Sequence, residues 1–277
     1  MAPTPLPVSS WRKSLLVRPS IATLDEHWGE DLSSQRLPRD KHVVVISCQV
    51  LQDPLSRLLP KGLARSVTFL DYGLHQVPAK MTGTLQEAIN DIEEPSLVVL
   101  GYGLCGNGLK GLKAGQHTLL VPRVDDCIAL LLGSRRAYLR EFEAEPGTYW
   151  LSKGWLESGS HPLKEYNEYV SRYGPEQAIW IMDQQYQHYR RLVLVAHSQE
   201  ELDAYRPQAQ EVARFCERWG MRYQELLGSD SLVRRLVEFA QRADGGSTLL
   251  HQASDDFLVI PPGGEIRQED FALICLS

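Results

Sequence analysis

Apolar positions in the first half of the chain gather into four short runs, rich in leucine and β-branched residues and bounded by polar or turn residues. They are VVVIS (43–47), SVTFLDYGL (66–74), LVVLGYGL (97–104) and TLLVP (118–122). Runs of this length and composition predict strands buried on both faces of a parallel sheet, at 43–47, 66–70, 97–101 and 118–122. Helical periodicity fills the gaps. A short helix is expected around Asp53 to Leu59. Thr84 and Glu87 read as a capping box for a helix to about Ile92, with Leu85, Ala88, Ile89 and Ile92 facing inward. Asp125 reads as the N-cap of a helix from Asp126 to Leu132, stopped by Gly133, which sets Cys127 at its second position.

From Ser134 to Arg191 the pattern predicts helices and no strand, with an aromatic loop through PGTYW (146–150) and KGW (153–155) and a helix from Pro175 to about Tyr189. Strand and helix alternate again afterwards. LVLVA (192–196) is followed by a helix from Ser198 whose cap Glu201 closes, a strand near Arg222 to Leu226, a helix from Ser231 to Arg242, then FLVI (257–260) and FALICL (271–276). The fold expected is α/β: an open, mostly parallel, Rossmann-like sheet with helices on both faces, in two similar lobes. The divisions are an N-terminal arm (1–40, five prolines and no period), a first α/β lobe carrying the site (41–133), a helical insertion or lid (134–190) and a second α/β lobe (191–277). Trp150 and Trp155 are expected to pack the insertion's own core.

The apolar share of 43% is ample for a core at 277 residues, and the net charge of −6 argues against nucleic acid or an acidic membrane surface as partner. No apolar stretch approaches the roughly 18 residues of a spanning helix, and the first residues lack a secretory signal, so a cytoplasmic protein is expected. Five widely spaced cysteines do not form a disulfide framework; in a reducing compartment clustered thiols point to metal or catalysis.

Those cysteines fall where the strands end. Cys48 follows the first run, His75 the second, Cys105 the third, and Cys127 comes shortly after the fourth. Ligands of open α/β sheets bind outside the carboxyl ends of the strands. The separations of 27, 30 and 22 positions are each close to one strand–helix unit. Cys48, His75, Cys105 and Cys127 are therefore candidate ligands of one soft metal, either zinc or a [4Fe–4S] cluster, since thiolates select both. The three sulfurs are expected within about 4–7 Å of one another. Cys216, in a helical apolar stripe, and Cys275, in the last run, are expected apart, as core.

Glycines at 101, 103, 106 and 108 surround Cys105 and permit close backbone approach, which makes Gly103, Gly106, Asn107 and Gly108 candidate cofactor contacts. The loop lacks the Gly-Lys-Ser/Thr ending of a phosphate-binding P-loop. Arg123 and Asp126, beside Cys127, are candidate catalytic or orienting residues for an anionic substrate; Arg123 with Asp125 could equally be a local ion pair that fixes the turn.

Gly-Tyr-Gly-Leu-Cys-Gly-Asn-Gly (101–108), Pro-Arg-Val-Asp-Asp-Cys-Ile (122–128), Leu-Gly-Ser-Arg (132–135) and Pro-Gly-Thr-Tyr-Trp (146–150), with Asp71, Gly73, Leu74 and His75, together resemble the domain-of-unknown-function family numbered 1638 over roughly residues 41–240. That resemblance carries no assigned activity. It implies a setting beside corrinoid-dependent methyltransferases, hence methyl or one-carbon metabolism and a corrinoid or methyltransferase partner, by association and not by mechanism. Three functions stay open at this point. The first is a metal-dependent cytosolic enzyme acting on a small thiol-, sulfur- or methyl-containing molecule. The second is a non-catalytic accessory or binding protein for a corrinoid system. The third is a metal-free cysteine enzyme with Cys127 as nucleophile and His75 as base.

Overall fold

The structure, a computed structural model, describes residues 43–244 and 255–272, all within one compact unit spanning Leu37–Ser277. The expected arm at 1–40, Cys275 and most of the run FALICL lie outside the described residues.

Eight strands and nine α-helices are described. In chain order they are β1 (Val43–Cys48), α1 (Gln52–Leu58), β2 (Ala64–Leu70), α2 (Pro78–Asn90), β3 (Leu97–Gly101), β4 (Thr118–Pro122), α3 (Cys127–Leu131), α4 (Arg135–Ala144), β5 (Thr148–Leu151), α5 (Lys153–Ser158), α6 (Pro162–Tyr173), α7 (Pro175–Tyr186), β6 (Arg191–Ala196), α8 (Gln199–Cys216), β7 (Arg222–Leu227), α9 (Ser231–Asp244) and β8 (Phe257–Ile260). They build the expected α/β, mostly parallel, Rossmann-like architecture. One sheet has the order β2-β1-β3-β4-β8 and the other β5-β6-β7. All pairs are parallel except β4 with β8. The strands of residues 191–277 are thus divided between the two sheets.

β1, β3, β4 and β6 are buried along their whole length, which is why their runs are uniformly apolar. β2 departs from that expectation: it is an edge strand, and Arg65, Ser66, Val67 and Thr68 are exposed. The order β2-β1-β3-β4 places β2 and β3 on opposite sides of β1. Successive crossovers therefore leave in opposite directions at β1/β3, opening a crevice at the carboxyl ends of those two strands.

Four local expectations are corrected. α2 begins at Pro78, not at Thr84: proline at the first helical position supplies a helical φ and needs no amide partner, so the start precedes the apparent capping box. The cap of α3 is Asp126 rather than Asp125, and Cys127 is its first residue, not its second. A four-residue strand, β5, lies on the stretch read as an aromatic loop of the strandless insertion; it is too short to show a period and is specified by its pairing with β6. Phe271 closes a 3₁₀ turn, Gln268–Phe271, so the last run does not begin as a strand.

Two cores result, one around the large sheet and one between the small sheet and α7 and α8. Trp150 packs on the first, and Trp155 touches both, so the expectation that they pack only the insertion's own core does not hold. Leu100, fully buried in the centre of the large sheet, is expected to cost about 2–5 kcal/mol in urea unfolding when replaced by alanine. Trp180→Ala, at a position 58% exposed, should change stability by no more than about 0.5 kcal/mol.

Candidate metal centre

Each ligand candidate is delivered by a specific local device. Cys48 is the last residue of β1 and is buried. His75 lies in a 3₁₀ turn, Tyr72–Gln76, started by Asp71, whose carboxylate accepts the Gly73 amide at 2.7 Å. This turn aims the imidazole back over the end of β1, with Nε2 3.1 Å from Cys48 Sγ.

Cys105 follows β3 in a left-handed conformation, φ 48°, as does Asn107, φ 71°. Such a backbone is unfavourable for residues carrying a Cβ and persists only where surrounding contacts enforce it. The enforcing contacts are two backbone hydrogen bonds, the Leu104 amide to the Val124 carbonyl and the Cys105 amide to the Asp125 carbonyl, both 2.9 Å. They draw the β3 loop against the loop that carries Cys127. At Gly103 the two backbones are so close that a Cβ would lie 2.8 Å from Asp126 backbone atoms. Asp126 then caps α3, its carboxylate accepting the Ile128 amide at 2.9 Å, and this fixes Cys127 at the first helical position.

Three of the four form one tight group, and the fourth, Cys105, touches it through Cys127. Cys105 and Cys127 sulfurs are 3.4 Å apart, and Cys127 Sγ is 4.0 Å from His75 Nε2. The donor atoms of Cys48, His75 and Cys127 all lie within 4.8 Å of one another, a Cys-His-Cys group that could hold a metal ion. The 3.4 Å separation is shorter than the 4–7 Å expected from strand-end spacing, because the two loops cross instead of merely ending side by side. Cys216, buried in the core of the small sheet, is apart from the site as expected, and burial pushes its thiol up to about 12.

Cys127 is held well below the ordinary thiol range by hydrogen bonds from Cys105 and Cys48, against the opposing effect of burial, with His75 adding to the fall. Cys48 and Cys105, which donate those bonds in a buried setting, are correspondingly raised. Burial would lower His75, but the neighbouring Cys127 thiolate outweighs it and the imidazole is raised. Burial, and then the Cys127 charge, push Asp126 up to about 7 although Tyr138 and the Ile128 amide favour its ionised form. The arrangement thus favours ionisation at Cys127, next to the imidazole, with Cys48 and Cys105 as the donors to it.

The other sequence candidates are distributed differently. Gly103 and Gly108 serve packing: a Cβ on Gly108 would meet the Met81 methyl at 2.4 Å. Gly106 and Asn107 are exposed on the outer side of the loop. Arg123 donates to the Ala272 carbonyl, and Asp125 faces Arg135 at 3.5 Å, so the expected Arg123–Asp125 pair is replaced by a partner from α4.

Three residues of the neighbourhood escaped sequence reasoning. Tyr102 is fully buried with its ring 6.1 Å from His75, and its hydroxyl has no partner among the described residues. Trp155, from α5, lies 6.0 Å from His75 by ring centroids, so the insertion does reach the site. Tyr138, from α4, hydrogen-bonds Asp126. The only early signal was the position of Tyr102 between two glycines of the Cys105 loop.

A family model described as Protein of unknown function (DUF1638) matches residues 69–237, a stretch that holds His75, Cys105 and Cys127 and begins after Cys48. No curated protein and no solved structure matches the chain.

Ultraviolet thiolate absorbance of metal-free protein should resolve the cluster. One thiolate is expected to form below the ~8.5 of a free cysteine and to vanish in Cys127→Ser, with Cys48 and Cys105 ionising above it. Because folding depresses the Cys127 pKa, this ionisation stabilises the fold above the unfolded value, and the gain is lost as pH falls through the folded one. Persistence of the early thiolate in Cys127→Ser would assign it elsewhere. Gly103→Ala, which forces the Asp126 backbone away, should abolish the early thiolate and destabilise the protein by roughly 1–3 kcal/mol.

Proposed function

The chain belongs to that family of unknown function, and from the chemistry of its own residues we propose a metal-dependent protein, most simply an enzyme, acting on a small thiol-, sulfur- or methyl-containing molecule. Cys48, His75 and Cys127 hold a single ion, for which zinc is the best fit, and Cys105 is the fourth candidate ligand. The observation carrying this reading is the short spacing of buried soft donors. Two sulfurs sharing one tetrahedral zinc at ~2.3 Å lie about 3.8 Å apart, whereas cysteines on a [4Fe–4S] cluster stand further from one another. Separations of 3.1 and 4.0 Å from His75 Nε2 to the sulfurs of Cys48 and Cys127, with all three donor atoms within 4.8 Å of one another, support the single ion.

Three protein ligands with a position left open is the arrangement of catalytic zinc, and the metal would supply Lewis acidity toward a thiol or water. The protein's own groups set the surroundings. Trp155 and the ring of Tyr102 wall the imidazole with apolar surface and keep water away. The unpartnered Tyr102 hydroxyl is available to donate to a bound molecule. Asp126, near 7, is the carboxyl able to hold or release a proton close to Cys127 at neutral pH. A methyl-transfer setting with a corrinoid or methyltransferase partner is proposed on the family resemblance alone.

Elemental analysis of anaerobically purified protein is the direct test. About one zinc per chain is expected, falling steeply in His75→Ala and Cys127→Ala. Less than about a tenth of an equivalent of any transition metal would sink the proposal, and iron accompanied by acid-labile sulfide would replace zinc by a cluster.

A further inference from the structure

Next to the cysteine cluster stands a pair of cations that its chemistry does not use. Arg135 is the first residue of α4, after the cap Ser134, and its side chain is only 11% exposed. Its Nε faces Asp125 Oδ2 at 3.5 Å, and neither Nε nor Nη1 makes a hydrogen bond among the described residues. Arg123, directly after β4, donates through Nη2 to the Ala272 carbonyl, while its buried Nε is also unpartnered. The two guanidinium groups oppose one another: burial first, and then the Arg135 charge, lower Arg123.

Of these three buried guanidinium nitrogens, Arg135 Nε has only the long Asp125 ion pair, and Arg135 Nη1 and Arg123 Nε have no acceptor among the described residues, which is costly. Asp256 Oδ2 is taken by Arg235 at 2.5 Å, and Asp270 Oδ2 accepts the Arg267 amide at 2.7 Å. Asp255 acts on Arg123 only through its charge. Unsatisfied planar guanidinium donors that feel one another's charge match one chemistry above others, an oxyanion with several acceptor oxygens. Both residues are partly exposed although these nitrogens are buried, so an anion reaches them by a local shift of the two side chains.

We propose that Arg123 and Arg135 form a binding subsite for the carboxylate or phosphate of a small molecule. The loop between them fixes where that molecule points. Asp125 accepts the Cys105 amide through its carbonyl, and Asp126 caps the helix that begins with Cys127. An anion held by the arginines is therefore anchored on the loop that carries the thiolate. The substrate class is then a small acid or phosphate ester with its reactive, sulfur- or methyl-bearing end directed at the cluster. This second half rests on the metal-site reading; the anion subsite itself does not.

The test is calorimetric titration of the full chain with inorganic phosphate and, separately, acetate, at matched ionic strength. Saturable binding of at least one is expected, and the tighter of the two identifies the acid class. Arg135→Met should weaken it by about tenfold or more, the loss of a charge-assisted hydrogen bond. Arg123→Met is the second variant, should Arg135→Met fail to fold by circular dichroism. Arg136→Met, exposed on the same helix, should leave binding unchanged. Cys48→Ala, which removes a proposed metal ligand, should also retain it, so failure of the metal reading and failure of this one are separable. No saturable binding of either anion, equal binding in both arginine variants, or loss in Cys48→Ala would overturn the subsite.

Discussion

The Leu104 amide reaching the Val124 carbonyl, and the Cys105 amide reaching that of Asp125, are the interactions on which the site depends. Parallel strands only bring their carboxyl ends to a common edge; they do not bring two sulfurs into contact. The crossing of two loops does. It requires the absence of a side chain at Gly103, and it turns Cys105 into the left-handed region. Asp126 completes the arrangement by capping a helix so short that its position is set by the cap and the loop rather than by its own length.

Crowding buried thiols is unfavourable unless charge is shared, and the cluster shares it unequally. Cys127 receives hydrogen bonds from two thiols and the field of an imidazole, and so keeps the negative charge that burial alone would suppress. The Cys127 charge raises His75, and burial together with that charge raises Asp126 to about 7, so this carboxyl stands close to a change of protonation at neutral pH. Such a cluster is poised to exchange protons for a soft cation, since ligands must deprotonate as the ion enters.

Much of this was legible in the amino-acid pattern. β1, β3 and β4 are buried on both faces, and that burial writes itself as uninterrupted apolar runs whose ends can be located to a residue or two. The delivery of Cys48, His75, Cys105 and Cys127 to one sheet edge follows from those ends; the contact between the Cys105 and Cys127 sulfurs does not. What escaped depended on pairing or approach across the chain. β5 is defined by β6, and the start of α2 by a proline that overrides a convincing capping box further on. Tyr102, Trp155 and Arg135 acquire meaning only from neighbours 27 to 80 positions away or across the Asp125 loop, and no local period reports them. The edge position of β2 was hidden for the same reason: its apolar residues resemble those of a central strand.

The last strand has a consequence for how the molecule is made. β8 pairs antiparallel with β4, so that Phe257 meets Pro122 across 135 intervening steps of chain. Everything in the small sheet is synthesised between those partners. The large sheet therefore closes late, by a contact of high sequence separation, and such closures slow folding because chain entropy is lost before the pairing is gained. Until it closes, β4, whose end leads into the loop bearing Cys127, keeps one edge unpaired. The order of synthesis thus leaves β4, the strand that leads to Cys127, waiting for a partner made more than a hundred residues later.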